Sequence, residues 1–471
     1  MLFVLLLTRT LSPLEYGTFG LITSITIYAA VIEPIISIWS LRETARNMPS
    51  SKTAVLSGCV FSILGVIVFL VSGYFLTQNT DADFNILMYG SILIPGIFLN
   101  RILIAINSGW KPEVVSIAQL FFVITEVISA FILVYVSDFG LLGVIFSVLI
   151  AYVVSIIIQL FYAKNKLSYS FDIKFLKNWL KRFWLPLYPT IGNVVVYFDV
   201  AIFSMLLGSV IGLAFWTAGI MISSIILTSQ VIFRPVYSKL VSGVEINFLN
   251  ENLRQFFFFV LPLVLLVIVF AKPAMFILNP EYVFAFPIVA ILAIQVFLSL
   301  IHRYFQEILM GIEKVDLYDS SVTDYVKSHL FLLPSLQIIK NIFYVTILFI
   351  IISIIHESSS LLELLTYWAI ISVLIQIPFI VYLFILIKKH ILISLGFTQI
   401  ILYLVIGIIF FGLTYVLLDS YLQYENELFS FIINLIPYLI LGLGGYFLST
   451  FIIDYRTRSL FLSIINEIKK K

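Results

Sequence analysis

The chain has 471 residues, of which 62% are hydrophobic and only 11% are charged, and its formal net charge is +2. Soluble domains carry about 25% charged residues, so a soluble core of this size could not hide so much apolar surface. The composition excludes a soluble globular protein. It predicts an all-α, polytopic membrane protein, because a helix satisfies its own backbone hydrogen bonds inside a bilayer. The single cysteine, Cys59, excludes an intrachain disulfide, and we expect it to be a small buried hydrophobe.

Apolar runs long enough to cross about 30 Å of hydrocarbon as helix recur along the whole chain. We predict about fourteen spans, at 1–11, 16–38, 54–77, 84–106, 114–136, 140–163, 185–207, 212–236, 255–271, 283–309, 329–355, 361–387, 397–418 and 429–453. The first segment is too short to cross a bilayer, so we expect the sequence to begin inside its first span.

Lysine and arginine are distributed unequally between the two sets of connecting segments. Alternate segments, counted together with the span ends beside them and the C-terminal tail, hold 24 of the 27 basic residues, and this count groups Arg101 and Arg254 with the turns. Since cytoplasmic loops carry the excess of basic residues, we predict a cytoplasmic C-terminus.

We expect a six-helix bundle at 1–163 and a cytoplasmic, amphipathic basic linker at 164–184, whose lysines suit an anionic leaflet. A second six-helix bundle is expected at 185–387, and two further spans with a basic tail at 388–471.

The turn between the first two spans has a clear helix-start signal. Ser12 precedes Pro13, and Glu15 follows three residues after Ser12. Serine with glutamate three positions later predicts a capping box, and proline favours the first helical turn. We therefore expect one helix to end near Leu11 and the next to start at Pro13.

Several motifs occur in a particular order from the N-terminus to about residue 290. They are Arg9 before L-S-P-L-E-Y-G-T-F-G-L at 11–21, Asp199 within a span, I-G-L-A-F at 211–215, and N-P-E-Y at 279–282 followed by Pro287. In this order and spacing they resemble the polysaccharide-export, or Wzx-type, oligosaccharide flippases. That family belongs to the superfamily that includes the MATE transporters and the lipid II flippases. The resemblance implies alternating access and a lipid-linked oligosaccharide substrate. The family often follows the aspartate with an arginine, whereas Val200 stands here.

Charged residues within spans are the best candidates for a site, since each costs about 2.5–3.5 kcal/mol at a helix centre and so faces a cavity or a partner. Lys340 and Arg9 are candidate ligands for a substrate phosphate. Asp199, Glu126 and Glu33 are candidates for binding a coupling ion or for lining the cavity.

Each candidate also has a structural interpretation. Asp199 would pair with a polar neighbour such as Asn193. Lys340 and Glu126 would each pair with a partner of their own. Glu33, which precedes Pro34, would mark a packing kink, and Arg9 would anchor the helix end at the interface. Arg42 and Arg46 follow the second span. They would either set the orientation of the chain or receive an anionic headgroup at the cytoplasmic entrance.

These observations favour a plasma-membrane flippase for a polyprenyl-(pyro)phosphate-linked oligosaccharide. Its partners would be this substrate, membrane lipids and glycan assembly enzymes. The sequence has no phosphate loop or dinucleotide fingerprint, and its four histidines lack ligand spacing. We therefore expect no enzyme activity, cofactor, metal or nucleic acid.

Two alternatives are open. One is a cation-coupled drug or metabolite exporter of the same fold. The other is a membrane glycosyltransferase or polymerase, which would use the outside acids Asp81 and Asp83 to bind a metal.

Overall fold

The computed structural model describes residues 2–241, 246–313, 322–391, 396–425 and 427–470. Within these ranges the regular secondary structure is helical, and no strand occurs. The helices are α1 (Leu2–Thr10), α2 (Pro13–Ala29), α3 (Pro34–Ala45), α4 (Ser51–Thr77), α5 (Phe84–Trp110), α6 (Glu113–Val136), α7 (Gly140–Leu167), α8 (Ile173–Lys181), α9 (Trp184–Leu207), α10 (Ile211–Val241), α11 (Ile246–Val269), α12 (Ala271–Leu278), α13 (Pro280–Ile312), α14 (Val322–Lys327), α15 (His329–Ile355), α16 (Leu361–His390), α17 (Phe397–Tyr421), α18 (Leu428–Ile453) and α19 (Tyr455–Lys470).

Twelve helices are long and apolar enough to cross a membrane: α4, α5, α6, α7, α9, α10, α11, α13, α15, α16, α17 and α18. The pair α2 and α3 passes the same test together but bends by 63° at a short break. With the nine-residue α1, these segments correspond one to one with the predicted spans. The chain is a multi-pass, all-α membrane protein, which confirms the predicted fold class.

The start of α2 has the predicted capping box. The backbone N–H of Glu15 donates to Ser12 Oγ at 3.3 Å, and the backbone N–H of Ser12 donates to Glu15 Oε2 at 3.0 Å. The break between α2 and α3 falls at Glu33 and Pro34, where proline removes a backbone donor. The kink expected at this position is therefore confirmed, and its role stays a prediction.

Two compact units account for the chain. One comprises Met1–Thr217 with Pro334–Leu364, and the other comprises Ala218–Leu333 with Leu365–Lys471. We call them unit 1 and unit 2. Unit 1 takes in α1 to α9 and most of α15, so it includes the whole of the bundle expected at 1–163. The division into two six-helix bundles, a linker and two further spans stays a prediction.

The core of unit 1 includes the short helix α8. Trp179 is only 1% exposed and packs with buried residues of α3, α4 and α5. Its indole N–H donates to Glu43 Oε1 at 3.0 Å, and the backbone N–H of Asp172, which caps α8, donates to Thr53 Oγ1 at 3.0 Å. One face of α8 is thus fixed to the protein, while its lysines are exposed. Their contact with an anionic leaflet stays a prediction.

In unit 2, one core cluster joins α12 to the last two spans. Phe276 of α12 packs with Leu418 of α17 and with Phe431 and Leu435 of α18, all buried. The ring centroids of Phe276 and Phe431 are 4.8 Å apart. The two C-terminal spans are therefore packed against unit 2 by aromatic and aliphatic contacts.

Cys59 departs from its expected burial, because its side chain is exposed on α4. The outward faces of the spanning helices are apolar, as at Phe161 and Ile354, which are 73% and 74% exposed. In a bilayer an apolar side chain gains little by moving from lipid into protein. The prediction that Cys59 is buried was wrong because it applied a rule for soluble cores to a lipid-facing surface.

Candidate functional site

The helix α9 is interrupted within unit 1. Its two halves are Trp184–Val195 and Phe198–Leu207, and Asp199 lies in the first turn of the second half. A carboxylate is favourable there because the helix N-terminus carries partial positive charge. The side chain of Asp199 is only 7% exposed. The backbone N–H of Val200 donates to Asp199 Oδ1 at 2.7 Å, and the Tyr344 hydroxyl donates to Asp199 Oδ2 at 2.7 Å.

A second helix of unit 1 contributes to this break. The Tyr28 hydroxyl of α2 donates to the backbone carbonyl of Tyr197, a residue between the two halves of α9. The Tyr28 ring also stacks on Phe198, with ring centroids 5.1 Å apart. Backbone carbonyls released at a helix break must find a donor in a membrane protein, and Tyr28 supplies one. We call the group of Tyr28, Tyr197, Asp199 and Tyr344 the α9 break.

Two further polar contacts join α9 to α15. The hydroxyls of Tyr188 and Ser335 are 2.6 Å apart, and the Asn341 side-chain amide donates to the Gly192 carbonyl at 2.5 Å. These contacts, together with that between Asp199 and Tyr344, advance in the same direction along both helices. The two helices therefore run parallel, as the predicted topology requires for two spans that both start at the cytoplasmic side.

Lys340 lies on α15 at the same level as these contacts. It precedes Asn341 and stands one turn before Tyr344, so Lys340 and Tyr344 share a helix face. Its side chain is half-buried. The structure thus brings Asp199 and Lys340, which are far apart in sequence, to one pair of packed helices. Asn193, which the sequence suggested as a partner for Asp199, is exposed.

Glu33 occupies the break between α2 and α3, and its side chain is 4% exposed. Arg101 Nη1 lies 4.0 Å from Glu33 Oε2. The sequence count grouped Arg101 with a cytoplasmic turn, although the predicted span 84–106 contains it, and that grouping was wrong. Arg101 lies inside α5, nine residues before Trp110. The apolar run that continues from Arg101 to Trp110 is the signal that could have revealed this position.

The other sequence-predicted residues lie elsewhere in unit 1. Arg9 is half-buried in the last turn of α1, and Glu126 is half-buried in α6. Arg42 and Arg46 are exposed at the end of α3, and the Arg42 guanidinium lies 5.6 Å from the Trp39 ring centroid. Within the residues described, the side chains of Glu126, Arg42 and Arg46 form no hydrogen bond or ion pair with the α9 break. Their functional roles stay predictions.

Unit 2 has a buried charge network that the sequence count did not reveal. Arg254 of α11 is only 6% exposed and bonds to Glu251, to the Tyr403 hydroxyl at 2.6 Å and to Asp454 Oδ2 at 3.2 Å. Burial acts to raise the pKa of Asp454. Hydrogen bonds from Thr457 and Tyr403, with the charge of Arg254, outweigh it and hold that pKa below its usual value. The network fixes the ends of α17 and α18 to α11.

Asp81 and Asp83, which the sequence analysis assigned to an outside loop, are both engaged in structural contacts. Asp81 accepts hydrogen bonds from the Ser209 hydroxyl at 2.7 Å and from the Val210 backbone N–H at 2.8 Å. Asp83 caps α5 by accepting from the Asn85 backbone N–H at 2.8 Å. Carboxylates used in this way give no support to the metal site that a glycosyltransferase would need.

No family model matches the chain, and no curated protein does. Solved structures do match it. The lipid II flippase MurJ in an inward closed conformation superposes with a TM-score of 0.67 and 14% identity, over 98% of this chain and 96% of that one. An inward-facing multidrug resistance MATE family transporter of the MOP superfamily gives 0.63 and 12% identity, over 82% of this chain and 93% of that one. A MATE structure in the straight conformation gives 0.53 and 13% identity, over 82% and 91%.

The chain has the fold of these transporters. At these identities the likeness establishes the fold, and the substrate has to be argued from the residues of this chain. This fold places the α9 break and the α2–α3 break within membrane-spanning helices.

Proposed function

We propose that the protein is a flippase that moves a polyprenyl-(pyro)phosphate-linked oligosaccharide from the cytoplasmic to the outer leaflet by alternating access, as the Wzx-type resemblance implies. The observation that carries the proposal is the match to the lipid II flippase, which extends over 98% of this chain and 96% of that one. The MATE match leaves 18% of this chain uncovered, a share about the size of the two C-terminal spans. A lipid-linked substrate is therefore favoured over a small soluble one.

The chemistry of unit 1 supports a charged, sugar-bearing head as cargo. Such a head cannot cross hydrocarbon unaided, because its polar groups would lose water without replacement. The seam between α9 and α15 offers hydroxyl, amide, carboxylate and ammonium groups at membrane depth. In this proposal Lys340 and Arg9 neutralise the phosphate, Arg42 and Arg46 receive the head at the cytoplasmic side, and Asp199, Glu126 and Glu33 bind a coupling ion or shape the cavity.

The orientation and the setting complete the proposal. The excess of basic residues in alternate connecting segments supports a cytoplasmic C-terminal tail. With that orientation in a plasma membrane, the substrate would come from enzymes that assemble the glycan on the inner leaflet. Enzymes that consume it would act on the outer leaflet.

A second candidate is a cation-coupled exporter of drugs or metabolites. The TM-score of 0.63 to a multidrug resistance MATE family transporter favours it. A buried carboxylate at a helix break, as at Asp199, is suited to a coupling cation. In this case Lys340 would pair with an acid and bind no substrate.

The test is a leaflet-transfer assay in liposomes with a fluorescent short-chain polyprenyl-pyrophosphate oligosaccharide. Wild type, Lys340→Ala and Asp199→Asn are compared, with folding checked by size-exclusion chromatography. Transfer by wild type that fails in Lys340→Ala supports the flippase and its phosphate ligand. A folded protein that transfers no lipid but expels a small organic cation would show the exporter instead. Transfer unchanged by both substitutions would keep the function and remove these site assignments.

A further inference from the structure

Arg101 is a cationic group at membrane depth. It lies nine residues before the end of α5, which corresponds to about 14 Å along the helix axis. A guanidinium at such depth is costly in lipid and normally faces a partner or a wet cavity. Its one ion pair within the described residues is with Glu33, and 47% of its side chain is exposed.

The ion pair between Arg101 and Glu33 is longer than a direct hydrogen bond, and it leaves most donors of the guanidinium unused. The contact is 4.0 Å long, whereas charge-assisted N–H···O bonds measure about 2.7–2.9 Å. Glu33 Oε1 is buried, and the Ser37 hydroxyl, one turn further along, lies close enough to interact with this carboxyl group as a hydrogen-bond donor. A guanidinium has five N–H donors in a fork that matches the oxygens of a phosphate. Most of that donor capacity is not used by Glu33.

Few other charged groups surround the pair. The Tyr152 hydroxyl of α7 lies within electrostatic range of both Arg101 and Glu126. The helices packed on α3 are α4, α5, α8 and α9. The charged residues of α4 and α9 are Lys52, at the start of α4, and Asp199, and the lysines of α8 are exposed. Arg101 is therefore the cation placed to compensate Glu33.

Unit 2 contains a similar arginine with a different partner. Arg303 lies nine residues before the end of α13, and each of the two arginines is followed eight residues later by a glycine. Arg303 Nη1 lies 3.5 Å from the side-chain oxygen of Gln230, a neutral group. The arginine position thus occurs in both units, and the carboxylate partner at Glu33 distinguishes the pair in unit 1.

We propose that Arg101 binds the phosphate of the translocated lipid, and that Glu33 is an internal ligand which competes with this phosphate for the guanidinium. This inference rests on the proposed flippase function and adds to it a binding residue and a proton. When phosphate takes the guanidinium, the buried Glu33 carboxylate loses its cation. A buried carboxylate that keeps the Ser37 hydroxyl but has lost its cation is costly, which favours uptake of a proton from water.

The exchange makes a specific prediction about pH. Proton binding at Glu33 and phosphate binding at Arg101 favour each other, because coupling between two binding events is reciprocal. The affinity for the lipid phosphate should therefore rise as pH falls. When Glu33 is protonated, the complex of protein and lipid carries one negative charge fewer than it would with Glu33 ionised.

The experiment measures the Kd of a short-chain polyprenyl phosphodiester that carries one hexose, in nanodiscs at pH 6 and pH 8. A phosphodiester is used because a phosphate monoester itself titrates near pH 6. We expect wild type to bind more tightly at pH 6. Glu33→Gln should bind up to about fivefold more tightly than wild type at pH 8 and lose the pH dependence. Arg101→Gln should bind at least about tenfold more weakly at both pH values.

Arg303→Gln is the matched control. It removes an arginine that lies nine residues before the end of its helix, as Arg101 does, but that has a neutral partner. This variant should retain the wild-type pH dependence. The double variant Glu33→Gln with Arg101→Gln leaves no lone buried charge, so it serves if Arg101→Gln alone fails to fold. The double variant should bind the phosphodiester lipid about as weakly as we expect for Arg101→Gln.

The outcomes separate this inference from the proposed function. Wild-type affinity in folded Arg101→Gln, or in the double variant, would overturn the assignment of Arg101. A pH dependence that persists in Glu33→Gln would overturn the exchange. If wild type itself binds no phosphodiester lipid, the flippase proposal fails and this inference fails with it.

Discussion

The hydrogen bond between Tyr344 and Asp199 gives the sharpest test of the site. Tyr344→Phe keeps the ring, which is 4% exposed, and removes the hydroxyl that donates to Asp199 Oδ2 at 2.7 Å. Since the hydroxyl leaves almost no cavity behind, the change in stability reports mainly on the hydrogen bond.

The expected magnitude depends on the charge of the acceptor. Hydrogen bonds between membrane helices contribute about 0.6 kcal/mol on average and about 1.7 kcal/mol at most. Bonds to a charged group reach about 1.5–3 kcal/mol. If Asp199 is a carboxylate, Tyr344→Phe should lower the free energy of unfolding by about 1.5–2 kcal/mol.

Tyr188→Phe is the matched control on the same two helices. It removes a hydroxyl that lies 2.6 Å from the neutral Ser335 hydroxyl. We expect a loss of about 0.6 kcal/mol for this variant. The assay is equilibrium unfolding in mixed micelles at pH 7.5. The two variants should differ by about 1 kcal/mol, or about fivefold in the equilibrium constant.

Equal losses in the two tyrosine variants would refute the reasoning, because they would show that Asp199 does not present a charged acceptor to Tyr344. The double-mutant cycle with Asp199→Asn makes the test independent of the control. In that cycle the Tyr344→Phe substitution should cost about 0.6 kcal/mol once the carboxylate has become an amide. A cost as large as in the wild-type background would contradict the assignment in the same way.

The remaining predictions concern the charge network of unit 2 and two glycines. Arg254→Gln should cost about 3 kcal/mol in unfolding experiments, because it leaves Asp454, whose side chain is 10% exposed, without its cation. The stability that Asp454 contributes should be present above about pH 4 and lost as the pH falls through its lowered pKa; acid unfolding of wild type and Asp454→Asn checks this sign. Gly109→Ala should destabilise the protein, because the new Cβ would lie 2.8 Å from the Leu41 carbonyl oxygen. Gly412→Ala, with nothing within 4 Å, should be neutral or stabilising by up to about 1 kcal/mol in the same unfolding assay.

Hydropathy and helix signals predicted the course of the chain because lipid imposes a simple rule on every span. The capping box at Ser12 and Glu15 and the break at Pro34 were also predictable, since both depend on neighbours in sequence. Arg101 was missed because the count of basic residues treated every arginine near a turn as exposed to water. The apolar residues that follow it carried the opposite signal.

Contacts between distant segments could not be predicted in the same way. Tyr344 is 145 residues from Asp199 in the chain, and Trp179 is 136 residues from Glu43. Nothing local to these residues specifies their partners, because the pairing follows from the packing of whole helices. The sequence alone identified Asp199 as a costly charge within a span, but its hydrogen bond with the Tyr344 hydroxyl could be identified only from the structure.

The two buried carboxylates of unit 1 differ in a way that bears on their roles. Asp199 faces the hydroxyl of Tyr344, which can donate to a carboxylate or accept from a carboxylic acid. Glu33 faces the guanidinium of Arg101, which can only donate and therefore favours the ionised form. Asp199 can thus gain or lose a proton or cation while its contact with Tyr344 persists. Loss of charge at Glu33 weakens its attraction for Arg101, so the charge of Glu33 is coupled to the availability of that guanidinium for a second ligand.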